Sequence, residues 1–380
     1  MEQFITLFLR PFVKAIYRLA CQWTKEDNAV IIAGHGAKYF TGNNQYFFQY
    51  LCQIQPVFPF FFFTKDKKTY QNLQKKYPGK ILYAYHAKTF VRMAKAKVLM
   101  VTTGPDDFFP FPLSPKKKII NLWHGTPLKN IGLLAPDADT KSLSAFSEAI
   151  DYFCVSSGFE GKIMQKAFRL PEQKIFISGL PKNDFIRHDH SSFLHQHPVL
   201  REKIILYAPT FREKEMAQKS LAELFPLEKL QQLLEEQHAR FLYRSHINTT
   251  DLQAIEGFDR ILSASPSIFP DPQPLLYFTD MLITDYSGIY FDYLLLNRPI
   301  IFYNYDDAEY RAKRNFLFHY EENTPGPKVQ NREELLKVIR RYFEYPDQDA
   351  EQREKIKNKF HTFTDGKACE RIYQKITKLL

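Results

Sequence analysis

From about residue 29 to residue 303 the chain returns repeatedly to apolar runs of strand length, separated by amphipathic stretches long enough to make a helix. Runs that short, rich in β-branched and aromatic residues and apolar throughout, suit strands buried on both faces, which is the situation of a parallel sheet covered by helices. A first series lies at 29–34, 59–64, 81–85, 98–102, 118–123, 152–156 and 174–178, with helical stretches such as 44–53, 68–77 and 159–168 between them. A second series lies at 203–207, 240–244, 260–263, 281–284 and 300–303, with helices expected at 221–237 and 287–297. After residue 330 the pattern is all-helical, at 332–344, 350–360 and 367–380. The fold class expected is therefore α/β, with two Rossmann-like domains, and 380 residues are enough for each to bury its own core. The polar stretch 187–198 is the expected boundary. That gives an N-terminal helix over 1–25, a first domain over 26–190, a second over 199–330 and C-terminal helices over 331–380.

Charge narrows the partners. A net charge of +10 implies anionic ones: nucleic acid, an acidic membrane or phosphate-bearing substrates. No apolar window is long enough to span a bilayer. In the first 20 residues Arg10, Lys14 and Arg18 form a basic stripe, with Ile5, Phe8, Leu9, Phe12, Ile16 and Leu19 around the rest of the helix. This suits an interfacial helix on an anionic membrane surface, and equally a helix packed on its own domain. Cys21, Cys52, Cys154 and Cys369 have neither metal nor disulfide spacing, which fits a reducing compartment and a cytoplasmic protein.

Two segments carry the chemistry. The run 118–123 delivers His124 onto a Gly125-Thr126-Pro127 turn followed by Lys129. A histidine at the end of a buried strand stands where α/β enzymes place reactive groups, and its pKa suits proton transfer, though a His-Gly turn is also a structural device. Later, Asp285-Tyr286-Ser287-Gly288 closes a strand and opens a helix, with Asp292 on its first turns. Small residues there leave free backbone N–H groups for a diphosphate, and simple N-capping by Asp285 or Ser287 accounts for the same pattern. Arg212, after the first strand of the second domain, is a candidate for a phosphate contact, with Arg244 and Lys182 weaker candidates for the same job. His246 follows the strand at 240–244. Asp292 suits either a ligand-orienting role or a buried salt bridge.

The segments N-L-W-H-G-T-P-L-K and D-Y-S-G-I-Y-F-D-Y-L-L-L-N-R-P together resemble the CDP-glycerol glycerophosphotransferase family of teichoic-acid and capsule synthesis. Smaller echoes are Phe40-Thr41-Gly42-Asn43, Gly179-Leu180-Pro181-Lys182-Asn183-Asp184, Tyr207-Ala208-Pro209-Thr210-Phe211-Arg212, Pro325-Gly326-Pro327 and Asp365-Gly366-Lys367-Ala368. The resemblance implies a GT-B-like architecture, with the two domains facing a cleft. It also implies transfer of glycerol phosphate from CDP-glycerol to a hydroxyl of a lipid-linked saccharide or polymer acceptor, releasing CMP on the inner face of the plasma membrane. In that reading His124 is the base and His246 acts on the donor phosphates. The donor site would be Arg212, Arg244, Asp285, Ser287, Gly288 and Asp292, and the acceptor side Gly125, Thr126 and Lys129. The family follows its second histidine with Pro, whereas Ile247 stands here, so the backbone beyond His246 is expected to differ. CDP-ribitol, or a nucleotide sugar with true glycosyl transfer, is the alternative on the same scaffold.

Other readings fare worse. There is no P-loop, no dinucleotide fingerprint and no G-x-S-x-G elbow, so no cofactor is expected. His188, His190, His195 and His197 form two H-x-H pairs in the boundary stretch, read as a solvated linker rather than a metal site; Asp106-Asp107 is likewise set aside. A non-catalytic nucleic-acid binder would explain the charge but not histidines at strand ends, so no nucleic-acid partner is expected. Little sequence lies beyond the two domains, which favours a primase or short-chain transferase over a processive polymerase.

Overall fold

In the computed structural model the described residues are 15–380, apart from 16, 18, 22–23, 26, 110, 112–113, 115, 137, 211, 213–218, 245–254 and 314. The expected N-terminal helix lies mostly outside them, as does His246.

The first sheet is built from β1 (Val30–Ala33), β2 (Phe60–Thr64), β3 (Ile81–Tyr83), β4 (Val98–Val101), β5 (Lys118–Asn121), β6 (Tyr152–Val155) and β7 (Ile175–Ile177). Its order is β3-β2-β1-β4-β5-β6-β7, with every pair parallel. β1, β2 and β4 are buried at every position, the consequence of helices on both faces. Phe48 of the helix Gly42–Ile54 packs edge-on against Phe60 and Phe62 of β2. Each such ring brings roughly 1.5–3 kcal/mol of burial. The order reverses between β1 and β4, the point in such sheets where ligands collect beyond the strands' carboxyl ends.

The second sheet contains β8 (Lys203–Tyr207), β9 (Ala239–Tyr243), β10 (Ile261–Ser263), β11 (Met281–Thr284), β12 (Ile300–Tyr303) and β13 (Lys328–Val329). Its order is β10-β9-β8-β11-β12-β13, again parallel, reversing between β8 and β11. Leu230, Leu233 and Leu234 of the helix Leu227–Glu236 and Leu335, Val338 and Ile339 of the helix Arg332–Glu344 fill its core.

The twelve expected strands are all present. β13 was not expected; it has two residues and follows a turn in which a Cβ on Gly326 would come within 2.2 Å of the Ile300 carbonyl oxygen. The helix expected over 221–237 is two, Leu221–Leu224 and Leu227–Glu236, because Pro226 has no N–H to continue the first.

Contacts divide the chain into two units with a different partition from that expected. The first comprises the residues up to His124, Gly132–Asp184 and Thr362–Leu380; the second comprises Gly125–Ile131 and Phe185–His361. The C-terminal helices are thus not one group. Arg332–Glu344 and Ala350–Phe360 belong to the second unit, while Ala368–Thr377 returns to the first, where Asp184 accepts from the N–H groups of Ala368 (2.8 Å) and Cys369 (2.7 Å). Two of the motif echoes, Gly179–Asp184 and Asp365–Ala368, meet in this cap. The stretch 187–198 is not a bare linker either. His190 is sandwiched between Phe185 and Tyr277 at 3.8 and 4.0 Å, and His197 packs on Phe193 and Phe269. Among the described residues no group of three or more His, Cys, Asp or Glu could hold a metal ion.

Candidate active site

β5 ends at Asn121, and the chain turns at Trp123, whose φ of 54° lies in the left-handed region. That conformation costs a non-glycine residue roughly 1–2 kcal/mol, and three hydrogen bonds offset it. Asn121 Oδ1 accepts from the Trp123 N–H at 2.7 Å, and Asn43 Nδ2 donates to the carbonyls of Leu122 (3.0 Å) and Trp123 (2.9 Å). The Trp123 ring is wedged against Phe153 and Phe168, and the His124 ring lies over it with centroids 4.1 Å apart. Held backbone and aromatic floor together aim an imidazole that stays exposed.

Two basic groups border it. His35, in the loop after β1, meets His124 edge to face at 6.3 Å. Lys182 is 9 % exposed, and its N–H donates to Asn43 Oδ1 at 3.1 Å. Asn43, buried on the first turn of its helix, therefore ties the segment before His124 to the one bearing Lys182. Desolvation by the surrounding protein, then the charge of Lys182, then His35, pull the His124 pKa from 6.5 down to about 4. The exposed ring argues for a smaller drop than burial alone would give, and the direction is what matters chemically: a neutral imidazole, able to accept a proton, at neutral pH. From the sequence Asn43 is expected to begin the first long helix and line the acceptor side, without a catalytic role; its hold on a strand end appears only once the sheet order is known.

The end of β11 is built differently. Asp285, fully buried, accepts at Oδ1 from the N–H groups of Thr210 (2.8 Å) and Tyr286 (2.5 Å), and at Oδ2 from Arg212 Nη2 (2.8 Å). Arg212 also donates to Asp306 from Nε (2.7 Å) and Nη2 (3.0 Å), and to the Thr210 carbonyl from Nη1 (2.9 Å). The rings of Tyr286, Tyr305 and Tyr310 surround the guanidinium. Burial alone would lower the Arg212 pKa; Asp285 and Asp306 outweigh it and raise it. Arg212 and Asp285, expected to meet donor phosphates, instead lock together the loops after β8 and β11 at the point where the strand order reverses.

Gly288 also departs from expectation. A Cβ there would stand 2.8 Å from the Thr126 carbonyl oxygen, so the missing side chain makes room for this backbone rather than for a diphosphate. The helix that follows, Ile289–Tyr293, has five residues, too few for a strong dipole. Ser287 is half-buried, and its Oγ accepts only a long bond of 3.4 Å from the Ile289 N–H. Farther along the same motif, Asp292 Oδ2 accepts from Gln273 Nε2 at 3.3 Å. Asn297 takes a left-handed φ of 50°, and Arg298 donates to the carbonyls of Tyr277 and Thr279, both at 2.7 Å. Much of the second motif thus serves the fold.

The segment Gly125–Ile131 belongs with these residues in the second unit. Lys129 bridges Phe316 through the backbone, and the Leu317 N–H donates to the Leu128 carbonyl at 3.0 Å. The Lys129 ammonium lies 5.4 Å from the centre of the Tyr310 ring. Thr126 is buried, and its Oγ1 has no hydrogen-bond partner among the described residues. Gly125 joins this segment to His124. Arg244 donates to the carbonyls of Ala264 (3.1 Å) and Phe269 (2.7 Å), bracing the loop after β10. Asp107, discounted as a metal ligand, is a buried staple: its carboxylate accepts from the N–H groups of Gly36, Thr102 and Thr103.

Residues 15–378 match the family described as CDP-glycerol:poly(glycerophosphate) glycerophosphotransferase. The chain belongs to that family. Among relatives of this glycerophosphotransferase, the teichoic acid glycerol-phosphate transferase of Staphylococcus aureus is 29% identical over 82% of this chain and 84% of its own. The teichoic acid ribitol-phosphate primase of Bacillus spizizenii is 27% identical over 100% of this chain and 99% of its own. The chain spans only 45% of the teichoic acid poly(glycerol phosphate) polymerase of Bacillus subtilis, at 28% identity. Among solved structures, the wall teichoic acid polymerase TagF superposes with a TM-score of 0.80 at 24% identity, over 99% of this chain and 95% of that one. A putative UDP-N-acetylglucosamine 2-epimerase from Listeria monocytogenes superposes with a TM-score of 0.60 at 13% identity, over 93% of this chain and 96% of that one, a likeness of fold. The α/β class and the GT-B-like architecture are those of the family.

Proposed function

We propose that this glycerophosphotransferase moves glycerol phosphate from CDP-glycerol to a hydroxyl of a lipid-linked saccharide or a polyol-phosphate polymer in teichoic-acid or capsule synthesis. The observation that carries the proposal is His124, a neutral and exposed imidazole on a rigidly held strand end, in a chain of this family. In the reaction, His124 takes the proton of the acceptor hydroxyl as its oxygen attacks the glycerol-bearing phosphorus. The bond from that phosphorus to the bridging oxygen breaks, and CMP leaves with the electron pair. Neutral His124 is the form that can act, so the pull of desolvation and Lys182 on its pKa favours the chemistry.

Negative charge on the reacting diphosphate and on the departing CMP has to be offset, usually the larger part of such catalysis. Arg212 has four hydrogen bonds committed within the protein and serves this end by holding the loops after β8 and β11 in place. Ser287 and His246 remain the donor-side candidates, with Thr126 on the acceptor side. The enzyme works at the inner face of the plasma membrane. No described helix is long and apolar enough to cross a bilayer.

The test is CMP release from CDP-glycerol by the purified protein, with and without a lipid-linked acceptor fraction, run in parallel with CDP-ribitol. Acceptor-dependent CMP from CDP-glycerol is expected. CMP from CDP-ribitol alone would move the assignment to ribitol phosphate, the substrate in the name of the Bacillus spizizenii relative.

A further inference from the structure

The positive charge of this chain is concentrated. Residues 65–97 hold ten Lys or Arg and a single acid, Asp66, so this stretch alone accounts for most of the net +10. Asp66 is already committed as the cap of the helix Lys67–Lys76, accepting from the Thr69 N–H at 2.7 Å. These basic residues divide between the two edges of the first sheet. Lys65, Lys67 and Lys68 follow β2 directly, and Lys88 opens the helix Ala87–Lys95 just after β3, so all four stand at the carboxyl edge. A ten-residue helix spans about 15 Å, which puts Lys75 and Lys76 at the amino edge.

The loops of the carboxyl edge are bonded into a continuous row. The Ala84 N–H after β3 donates to the Thr64 carbonyl at the end of β2 (2.9 Å). The Lys65 N–H donates to the Ala37 carbonyl after β1 (2.7 Å), and Thr69 Oγ1 donates to the Lys38 carbonyl (2.9 Å). The β1 loop also carries His35, whose ring meets His124. From β3 to β5 is four strand steps, about 19 Å at the usual spacing, and the row covers it with Lys88, Lys68, Lys67, Lys65 and Lys38 before reaching the two histidines. Lys38, Lys67, Lys68 and Lys88 are exposed, and among the described residues none of them is in an ion pair. Burial lowers the Lys65 pKa, Asp107 opposes it, and the smaller effects of Lys38 and Asp106 lower and raise it in turn.

We propose that this row is a binding track for an acceptor bearing phosphodiesters, which lies along the carboxyl edge of the first sheet with its terminal hydroxyl at His124. The inference rests on the glycerophosphate-transfer reading and adds what holds the acceptor. Charge complementarity selects a phosphate chain, and bonded continuity with the His35 loop selects a chain that ends at the reacting group over a bilayer surface, which would need no such lead-in. The exposed Tyr85, three residues before Lys88 in the chain, offers a ring edge for the polyol carbons.

The experiment measures, by fluorescence anisotropy, the binding of a short fluorescein-labelled glycerol phosphate oligomer to the full chain. It compares wild type with Lys67→Gln/Lys68→Gln/Lys88→Gln and with Lys75→Gln/Lys76→Gln/Lys95→Gln, which removes equal charge at the other edge. The expected result is binding that weakens about tenfold or more in the first variant, with a shallower salt dependence, and little change in the second. Equal weakening in both variants, no weakening in the first, or no binding by wild type would overturn the track. Co-sedimentation with phosphatidylglycerol vesicles is the other arm: loss of vesicle binding with oligomer binding intact in the first variant would assign the row to membrane and overturn the proposal. Wild-type CMP release from CDP-glycerol, scored alongside, separates the two claims. Its absence counts against transfer, and its presence without oligomer binding counts against the track alone.

Discussion

The ends of β5 and β11 carry motifs of equal prominence in the sequence, yet the protein spends them differently. At β5, Asn43 donates to the backbone and Asn121 accepts from it, and the side chain that emerges, His124, has no hydrogen-bond partner among the described residues and is open to solvent. At β11 the polar side chains themselves are consumed: Arg212 is paired with both Asp285 and Asp306 beneath three tyrosine rings. The lesson concerns burial. A charged group that is nine-tenths buried must be paired, and once paired it has little left for a ligand. An exposed imidazole on a fixed backbone keeps its chemistry available.

That contrast can be broken by substitution. The largest effect is expected at the open end: His124→Ala lowers acceptor-dependent CMP release by about 10²–10⁴-fold, the usual worth of a general base, with CDP-glycerol affinity nearly unchanged. Steady-state rates together with calorimetric donor binding check it, and a loss confined to binding would remove His124 from the role of base. At the locked end, Arg212→Ala leaves Asp285 buried without its cation and costs about 3–5 kcal/mol in stability. Urea denaturation measures this, and an unchanged midpoint would show that the pair is not holding the fold.

Smaller changes sharpen the comparison. Gly288→Ala sets a methyl against the Thr126 carbonyl and costs about 1–3 kcal/mol, the range of overpacking. If it is silent in denaturation, the close approach is not a constraint. Asn43→Ala frees the backbone before His124 and the segment of Lys182 together. It should lower kcat more than it raises KM, and shift the acidic limb of the rate profile back toward the ordinary histidine value of about 6.5. A stability loss with an unshifted limb would leave Asn43 a structural residue only.

How much of this was legible beforehand follows from the kind of information each feature needs. Buried parallel strands are written as apolar runs, so β1 to β12 could be read directly, while the two-residue β13 left no such trace. His124 was visible because a strand period and a turn fix where it emerges. Arg212 and Asp285 were visible as charged residues at strand ends, but whether such residues face a ligand or each other depends on the reversal of order between β8 and β11, a tertiary fact. The sequence around Gly288 suits a diphosphate and a simple helix cap equally, and the Thr126 backbone that approaches it comes from far earlier in the chain. The aromatic packing of His190 and the return of the helix Ala368–Thr377 to the first unit were hidden for the same reason.

The most direct test of the central claim is the pH dependence of kcat/KM for acceptor-dependent CMP release. A base works when deprotonated, so activity falls as pH drops through its pKa, and the lowered pKa of His124 moves that fall to more acidic pH. The account predicts a rate that holds steady from neutral pH to below 6.5 and bends only at more acidic pH, with the limb lost along with the activity in His124→Ala. A limb centred at or above 6.5, or a wild-type profile in the His124→Ala enzyme, would contradict it.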